Sequence, residues 1–566
     1  MTRKIAIFLN KAMNSDRPFI AGIFLLTLLM AWPLISNSLI RAFDLQSAFM
    51  RSVSMNQAWR EGDLIPRWMP HIISGYGYSM SNFYAPLFSY IAAVAMFFLP
   101  AFLAFNFSII LVLFASGVAM YFFAREIWGR DGAFLSAAAY LFAPYHILDV
   151  YVRGTPAELT AFVFFPLILW ALLRISRSLC LKDVVLGILA MTGLLLSHNI
   201  SAFLFLPLAF FYTVVLFFTG TNGVKEKLYS VLASAVVFIS GFLLSAYFWL
   251  PAMMEKKFVQ IERLTVGQYD YRHNFSTLPQ LIYSPWGYGT WGGGMSIMVG
   301  IVHLCFVMAL FLFFKKVTVS VKDARRQIIF FSFVLVVAAF FTVKESAPLW
   351  KVIPLLYFTE FPWRFLIIMT LAVSIMAGGI IFCVSENFRK KFLGMALIAI
   401  VGSNIFFCHS FGTEPVKFSS PVEYLQSLLP MDNMEYLSKW VKIVSVNPPP
   451  QKLQVLSGTG AVEDKGGRPL DRLFSVDAKT PVVLVFHSYY FPGWEAAVDG
   501  RPVDIKMDNP FGLIIFQAPA GSHDVRIFFT TTPVRTLAQS VSLVTLILFA
   551  MVFCFRKNVT AWLKKF

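Results

Sequence analysis

The chain has 566 residues, of which 58% are hydrophobic, 17% aromatic and only 14% charged, with a mean hydropathy of +0.69. That composition excludes an ordinary soluble globule and reads as an α-helical polytopic membrane protein. The 47 basic and 30 acidic side chains give a net charge of +17, yet the basic residues sort by alternate loops, as in a membrane protein, and no nucleic acid partner is expected.

Arg3, Lys4, Lys11 and Arg17 precede the first apolar run, Phe19 to Ile35. No small-residue cleavage pattern follows it, so it reads as a retained signal anchor with a cytoplasmic N-terminus. Apolar runs predict spans near 19–36, 105–124, 132–148, 158–174, 184–198, 200–219, 229–250, 295–314, 327–343, 364–383, 392–409 and 537–555. Arg125 with Arg130, Arg174 with Arg177 and Lys182, and Lys225 with Lys227 then fall inside. So do Lys315, Lys316, Lys322, Arg325 and Arg326, then Arg389 to Lys391, and last Arg556, Lys557, Lys564 and Lys565.

A further apolar run, Leu87 to Leu99 between Pro86 and Pro100, would reach only ~20 Å as a helix against ~30 Å of hydrocarbon. Counting it as a span would turn every later basic loop outward, so it is expected to lie re-entrant or on the surface within one large outer loop, 37–104. The expected architecture is about 12 spans with both termini cytoplasmic. Residues 1–409 form a transmembrane domain, 410–535 an extracytoplasmic β-rich domain, and 536–566 a last span with a basic cytoplasmic tail.

The five cysteines lie in or beside predicted spans, so neither a disulfide framework nor a CxxC metal site is available. No GxGxxG and no P-loop occurs. Within the exported part, Thr480 to Tyr490 is β-rich, Asp499-Gly500 reads as a hairpin turn, Gly521-Ser522 as another turn, and Pro502–Lys506, Gly512–Gln517 and Val525–Thr530 as strands. This spacing predicts a small β-sandwich. Pro448 to Pro450 and Gly458 to Gly467 read as linker or irregular connection.

Ionisable residues gather at the outer rim. Asp44 follows the first span and precedes a helix-compatible stretch through Trp59, which also suits it as a helix N-cap. The second outer loop places Asp149, Tyr151, Arg153 and Glu158 between two spans, where such groups are costly unless used or paired. An Arg153–Glu158 ion pair is the plain alternative to a ligand site. Arg364 opens the tenth span after Glu360-Phe361-Pro362-Trp363, with snorkelling to headgroups as its alternative. The loop from Pro251 to Gly294 mixes charges, including Arg272 and His273, with Tyr269, Tyr271, Tyr283, Trp286, Tyr288 and Trp291. That mixture suits sugar rings, although interfacial aromatics are general in membranes. His146 and His198, near span ends, suit phosphate, acceptor or metal, or simple packing.

The stretch from Asp44 through Trp68, Gly75-Tyr76-Gly77 and Asn82-Phe83-Tyr84-Ala85-Pro86-Leu87 resembles the first loop of bacterial GT-C membrane glycosyltransferases. Arg153-Gly154 with Glu158, Ser197-His198-Asn199, Phe361-Pro362-Trp363-Arg364, and Tyr490-Phe491-Pro492-Gly493-Trp494 with Val498-Asp499-Gly500 are similar to YfhO-like membrane proteins. The resemblance implies a GT-C fold, a polyprenyl-phosphate-linked sugar donor, and transfer on the outer face of the bacterial cytoplasmic membrane to a glycan, lipid or protein acceptor. Neither the Trp-Trp-Asp-Tyr-Gly motif of oligosaccharyltransferases nor an Asp-x-Asp in the second outer loop is present.

Such transfer needs a base for the acceptor hydroxyl and cations for the departing phosphate. In the resemblance Asp44 occupies the position of the base, and inverting transfer is expected; Glu158, in the second outer loop, suits orienting the phosphate grip of Arg153 or serving as a second carboxylate. Arg153, Arg364, His198 and Arg272 are the candidates for the donor phosphate, and His71, Tyr84, His273 and Trp286 for the acceptor. No dedicated metal ligands are assigned, and a divalent Mg or Mn ion stays open as cofactor. The readings that compete are a non-enzymatic lipid or glycan transporter or assembly factor, and a glycan polymerase.

Overall fold

The computed structural model describes residues 15–287, 295–321, 323–414, 420–427, 434–445 and 447–554. Arg3, Lys4, Lys11, Tyr288, Trp291, Lys322, Arg556, Lys557, Lys564 and Lys565 lie outside the described residues. The protein is mostly helical, with a C-terminal β-domain carried before the last helix.

Among the described residues, 8 helices are long and apolar enough to cross a membrane, or 9 if the pair Ile301–Leu312 and Phe314–Ser320, bent by 77°, is one span. Every expected span overlaps a helix among the described residues, and the difference from about 12 arises in three places besides that bend. The first helix, Arg17–Met30, has 14 residues and passes into the 3-10 turn Trp32–Leu34. Leu181–Ser197 has 17 residues. The runs near 105–124 and 132–148 share the helical stretch Ala101–Leu141, interrupted at Gly129 (φ 68°, ψ −172°). The second of these runs stops at Leu141, because Pro144 starts a separate short helix, Pro144–Tyr151, where its missing N–H costs nothing.

The helix Leu366–Ala377 has all of its residues buried. It packs on Ala101–Leu141 and Ala324–Thr342 and forms the centre of the bundle, as a helix apolar on every side must. The run after Pro86 forms the helix Leu87–Ala95, whose 9 residues are too few to cross a bilayer. It packs against Leu45–Arg60 and Ala101–Leu141.

The β-domain has eight strands: β1 (Leu453–Ser457), β2 (Gly460–Arg468), β3 (Asp471–Ala478), β4 (Val482–Tyr489), β5 (Trp494–Val498), β6 (Arg501–Val503), β7 (Leu513–Ala518) and β8 (Gly521–Phe529). They form a three-stranded sheet, β1-β4-β7, and a five-stranded sheet, β2-β3-β8-β5-β6. All pairings are antiparallel. The Asp499-Gly500 turn has positive φ at both residues, 52° and 75°, the hairpin geometry expected of that dipeptide.

Two readings of this region are corrected. The stretch expected as linker, Gly458 to Gly467, is mostly strand β2, paired along its length with β3. Its register breaks between Asp464 and Gly466, and its burial alternates only weakly, so no apolar period betrays it. Gly521 and Ser522 are not a turn but the first residues of β8, opposite Ala478 and Asp477.

The β-domain is docked on the first outer loop. The Tyr489 N–H donates to the Tyr76 carbonyl (2.9 Å) and the Ser79 hydroxyl to the Tyr436 carbonyl (2.6 Å). The Trp68 ring packs against Phe491, Trp494 and Phe529 at centroid separations of 5.8, 6.4 and 6.2 Å. Gly77, at φ +89°, lies so close to this indole that a Cβ there would come within 2.4 Å of Nε1. Glu255 completes the joint: it pairs with Arg535 (2.9 Å) and accepts from Asn82 (2.8 Å) and Thr532 (2.7 Å).

Candidate functional site

Asp44 is placed by backbone. Phe43 and Asp44 donate their N–H groups to the carbonyls of Val152 (3.0 Å) and Arg153 (2.8 Å), which joins the first outer loop to the second. Gly154 permits this approach: at φ +64°, a Cβ would sit 2.7 Å from the Cβ atoms of Ala42 and Leu45. Asp44 then occupies the N-cap position of Leu45–Arg60, yet its side chain makes no capping hydrogen bond. Its carboxylate is half-buried and is held above the ordinary aspartate value of 3.8 by burial, against the opposing pull of Arg153, Arg51 and Arg364.

Arg51 lies two helical turns after Asp44, on the same face of the helix. It is 8% exposed. Its guanidinium stacks on Tyr84, 3.9 Å from the ring centroid, and its closest polar partner is the Met80 sulfur, 3.9 Å away. No carboxylate pairs with it among the described residues. A buried cation in that state is poised for an anionic ligand.

Arg153 is in the opposite state. Its Nη1 lies 2.5 Å from Asp149 Oδ1 and 2.8 Å from Glu158 Oε2, all three side chains being buried. Tyr145 accepts from the same nitrogen (3.0 Å) and donates to Glu158 Oε1 (2.7 Å). The Arg153–Glu158 pair weighed from the sequence is therefore formed, with Asp149 as a third member. Arg364 pairs with Glu360 (3.1 Å) and donates to the Thr359 carbonyl (2.9 Å). Glu360 stands at φ 64°, an unusual backbone for a residue with a side chain. Burial raises its carboxyl pKa, with Arg364, Asp44 and Arg153 in range.

His198 caps the helix Asn199–Thr219, its Nδ1 accepting from the Ser201 N–H (3.3 Å), and its ring lies in the field of Glu158, Arg364, Arg153 and Arg51. His146 is fully buried, holding the Tyr140 carbonyl through Nδ1 (2.8 Å) and stacking on Phe162.

The structure thus brings together Asp44, Tyr84, Arg153, Glu158, His198 and Arg364. It adds Arg51, Glu360 and Glu435, which the sequence reading did not single out. Burial pushes Glu435 up to about 8, within range of Glu360, Arg51 and Asp44. The position of Arg51, seven residues after Asp44 in a helix-compatible stretch, was a usable signal. Glu435 had none.

Four expected residues are placed elsewhere. Arg272 is exposed and pairs with Asp270 beside Tyr271, Lys351 and Tyr357. His273 is exposed next to it. His71 bonds Glu61 (2.7 Å). Trp286 stacks on Phe407 with 4.6 Å between centroids. Among the described residues no group of three or more His, Cys, Asp or Glu is arranged to hold a metal ion. Asp149 and Glu158, the neighbouring carboxylates, are engaged by Arg153.

A family model described as 6-pyruvoyl-tetrahydropterin synthase related domain, membrane protein, matches residues 81–411. A protein of Lactococcus lactis subsp. cremoris (strain MG1363), described as uncharacterized, is 24% identical over 241 residues, which is 42% of this chain and 39% of the relative's own length. Among solved structures, the arabinofuranosyltransferase AftD from Mycobacteria is 12% identical, with a TM-score of 0.44 over 70% of this chain and 27% of AftD. ArnT from Cupriavidus metallidurans, bound to undecaprenyl phosphate, is 14% identical, with a TM-score of 0.40 over 69% of this chain and 64% of ArnT. The Archaeoglobus fulgidus oligosaccharyltransferase in its apo form is 13% identical, with a TM-score of 0.44 over 71% of this chain and 57% of that one. The chain spans less than two thirds of the length of each of these proteins.

Proposed function

The chain belongs to the membrane-protein family described as 6-pyruvoyl-tetrahydropterin synthase related domain, and from that premise we propose that it is a membrane glycosyltransferase of the GT-C kind. It moves a sugar from a polyprenyl-phosphate donor to an extracytoplasmic acceptor. The observation that carries the reading is the pairing, on one helix, of an uncapped carboxylate, Asp44, with a buried guanidinium, Arg51, that has no carboxylate partner. The resemblance of the first outer loop to GT-C enzymes supports the same roles.

Asp44 accepts the proton of the acceptor hydroxyl, whose oxygen attacks the anomeric carbon as the bond to the phosphate oxygen breaks. The configuration inverts. Burial suits the task, since a carboxylate with a raised pKa is a stronger base. The polyprenyl phosphate that departs gains charge next to Arg51, in a site whose low polarity strengthens the interaction, and Arg364, shared with Glu360, adds to the positive field. Arg153, already engaged by Asp149 and Glu158, is a positioning residue, because its carbonyl holds the Asp44 N–H. Glu435, which keeps its proton at neutral pH, is a donor for a phosphate or hydroxyl oxygen. Tyr84, under Arg51, lines the acceptor side. A Mg or Mn ion is not required by this scheme, since guanidinium groups supply the positive charge. The site faces outward across the bacterial cytoplasmic membrane, as the positive-inside rule requires.

The test is made on purified protein in lipid nanodiscs. Native mass spectrometry would show a co-purifying polyprenyl-phosphate sugar in the wild type, depleted in Arg51→Ala and Arg364→Ala. Transfer at the wild-type rate by Asp44→Asn would end the proposal. Absence of any such lipid from the folded wild type would favour a transporter or assembly factor.

A further inference from the structure

A cavity of about 440 Å³ lies between the first outer loop, the β-domain and the start of the last helix, Pro533–Cys554. Its walls include Arg67, Trp68, Arg468 and Arg535, with Glu61, Asp63 and Asp471 as the carboxylates. It is separate from the Asp44 site. The helix Leu45–Arg60, with Asp44 as its N-cap, reaches the cavity wall at Ala58, which puts the two sites about 21 Å apart along the helix axis.

The polar groups of the walls are unbalanced. Arg67, Trp68 and Arg535 are 6%, 1% and 1% exposed. Each retains a buried N–H without an acceptor among the described residues, at Arg67 Nε, Trp68 Nε1 and Arg535 Nη1. No lining acceptor is left in that condition. A set of buried donors without acceptors calls for a ligand rich in acceptors.

The charges point the same way. Arg67 bonds only the Asn82 side chain and the Tyr247 carbonyl, neither of which is charged. Arg468, on the exposed side, lies over Gly62, where a Cβ would meet its Nη1 at 3.1 Å, and it has no ion-pair partner among the described residues. Of the lining carboxylates, Glu61 is held by His71 and Gln57 (both 2.7 Å) and Asp471 by Arg526 through two contacts of 2.8 Å, while Asp63 accepts the Ile65 N–H (3.2 Å); Arg535 spends Nε and Nη2 on Glu255 (3.1 and 2.9 Å) and keeps Nη1.

We infer that this cavity is a second anion site, which takes a phosphoryl group between the membrane surface and the β-domain. Arg67 and Arg468 are its cationic wall, and Arg535, paired with Glu255 through its other nitrogens, adds its Nη1 N–H. Several guanidinium groups around one small cavity suit a phosphoryl group, with its several charged oxygens, better than a single carboxylate. The phosphoryl group has two sources, a phospholipid headgroup or a soluble phosphate, including one carried on a glycan. Occupancy would also brace the joint that Trp68 and Arg535 form with the β-domain, so the site links ligand binding to domain docking.

The experiment uses the full chain in nanodiscs and reads binding alone, so it is independent of any transfer activity. In one arm the discs contain phosphatidylglycerol, and native mass spectrometry counts the lipid retained after release from the disc. In the other they contain phosphatidylcholine only, and inorganic phosphate is titrated while the melting temperature is followed. The variants are Arg468→Gln, which is exposed and spares the fold, Arg67→Gln, and Arg501→Gln as a charge control on the β-domain. Retention of phosphatidylglycerol by wild type and Arg501→Gln, weakened about tenfold in Arg468→Gln, supports the site with a lipid headgroup as occupant. Stabilisation by phosphate in wild type and Arg501→Gln but not in Arg468→Gln supports it with a soluble occupant. Equal behaviour of wild type and Arg468→Gln in both arms, or no binding by wild type in either, overturns the inference.

Discussion

The Arg153 guanidinium and the Glu158 carboxylate lie 2.8 Å apart, each only 1% exposed, with Asp149 closing on the same nitrogen. One cation therefore answers two buried carboxylates, and its removal harms more than the removal of either acid. Arg153→Ala is expected to destabilise the protein by about 3–5 kcal/mol, because two charges lose their partner. Glu158→Gln leaves Asp149 in place and should cost much less. Thermal unfolding of both variants in one detergent checks the order, and a reversed order would rule out this arrangement.

Asp44→Asn should leave the fold intact, since no capping hydrogen bond is lost. Transfer should fall by about 10²–10⁴-fold, the usual contribution of a general base. In the wild type, the rate should decline as pH drops through the Asp44 pKa, which burial places above 3.8, because only the ionised form accepts the proton. A pH–rate profile on a purified donor and acceptor reads this limb directly.

Arg51→Gln should weaken donor binding by roughly 10–100-fold, the loss of a charge-assisted contact. Stability should change little, as Arg51 has no carboxylate partner to orphan among the described residues. A fall in melting temperature as large as that of Arg153→Ala would assign Arg51 to the scaffold instead.

Glu435 is held up to about 8 by burial. If its proton is used, activity should fall on the alkaline side as pH rises through that value. Glu435→Gln, neutral at every pH, should abolish this limb while the acid limb from Asp44 remains. Parallel profiles of the two proteins make the comparison.

Trp68→Ala removes the ring on which Phe491, Trp494 and Phe529 pack, and is expected to cost about 3–5 kcal/mol. The loss should fall on the docking of the β-domain: amide exchange should quicken in Gly75–Tyr78 and β4 before the central helix Leu366–Ala377 is affected.

Much of this molecule is legible in the chain because the bilayer is a severe solvent. Long apolar runs have to be helices, and the expected spans accordingly fall on helices. Leu87–Ala95 is short because Pro86 and Pro100 bound a run that never had the length to cross. The Asp499-Gly500 turn was readable because its backbone chemistry is local. Strand β2 was not readable, since a bulged, polar, glycine-bearing strand has no period to detect.

The candidate site divides along the same line. Asp44, Arg153, Glu158 and Arg364 stood out because ionisable groups at membrane depth are rare and costly. Their pairing did not follow from that. Charge repulsion, burial and hydrogen-bond direction act through space, so it took the folded chain to commit Arg153 to two carboxylates and leave Arg51 without one. The same folding brought Glu435 from a distant segment into the field of Asp44. By itself, then, the sequence determined a membrane-embedded helical protein with an appended β-domain and an ionisable outer rim, because hydropathy and turn chemistry are properties of local sequence. Only the tertiary structure decided which cation is spent and which is available, because that depends on how Asp149, Arg153 and Glu158 are turned toward one another and on what packs around Arg51.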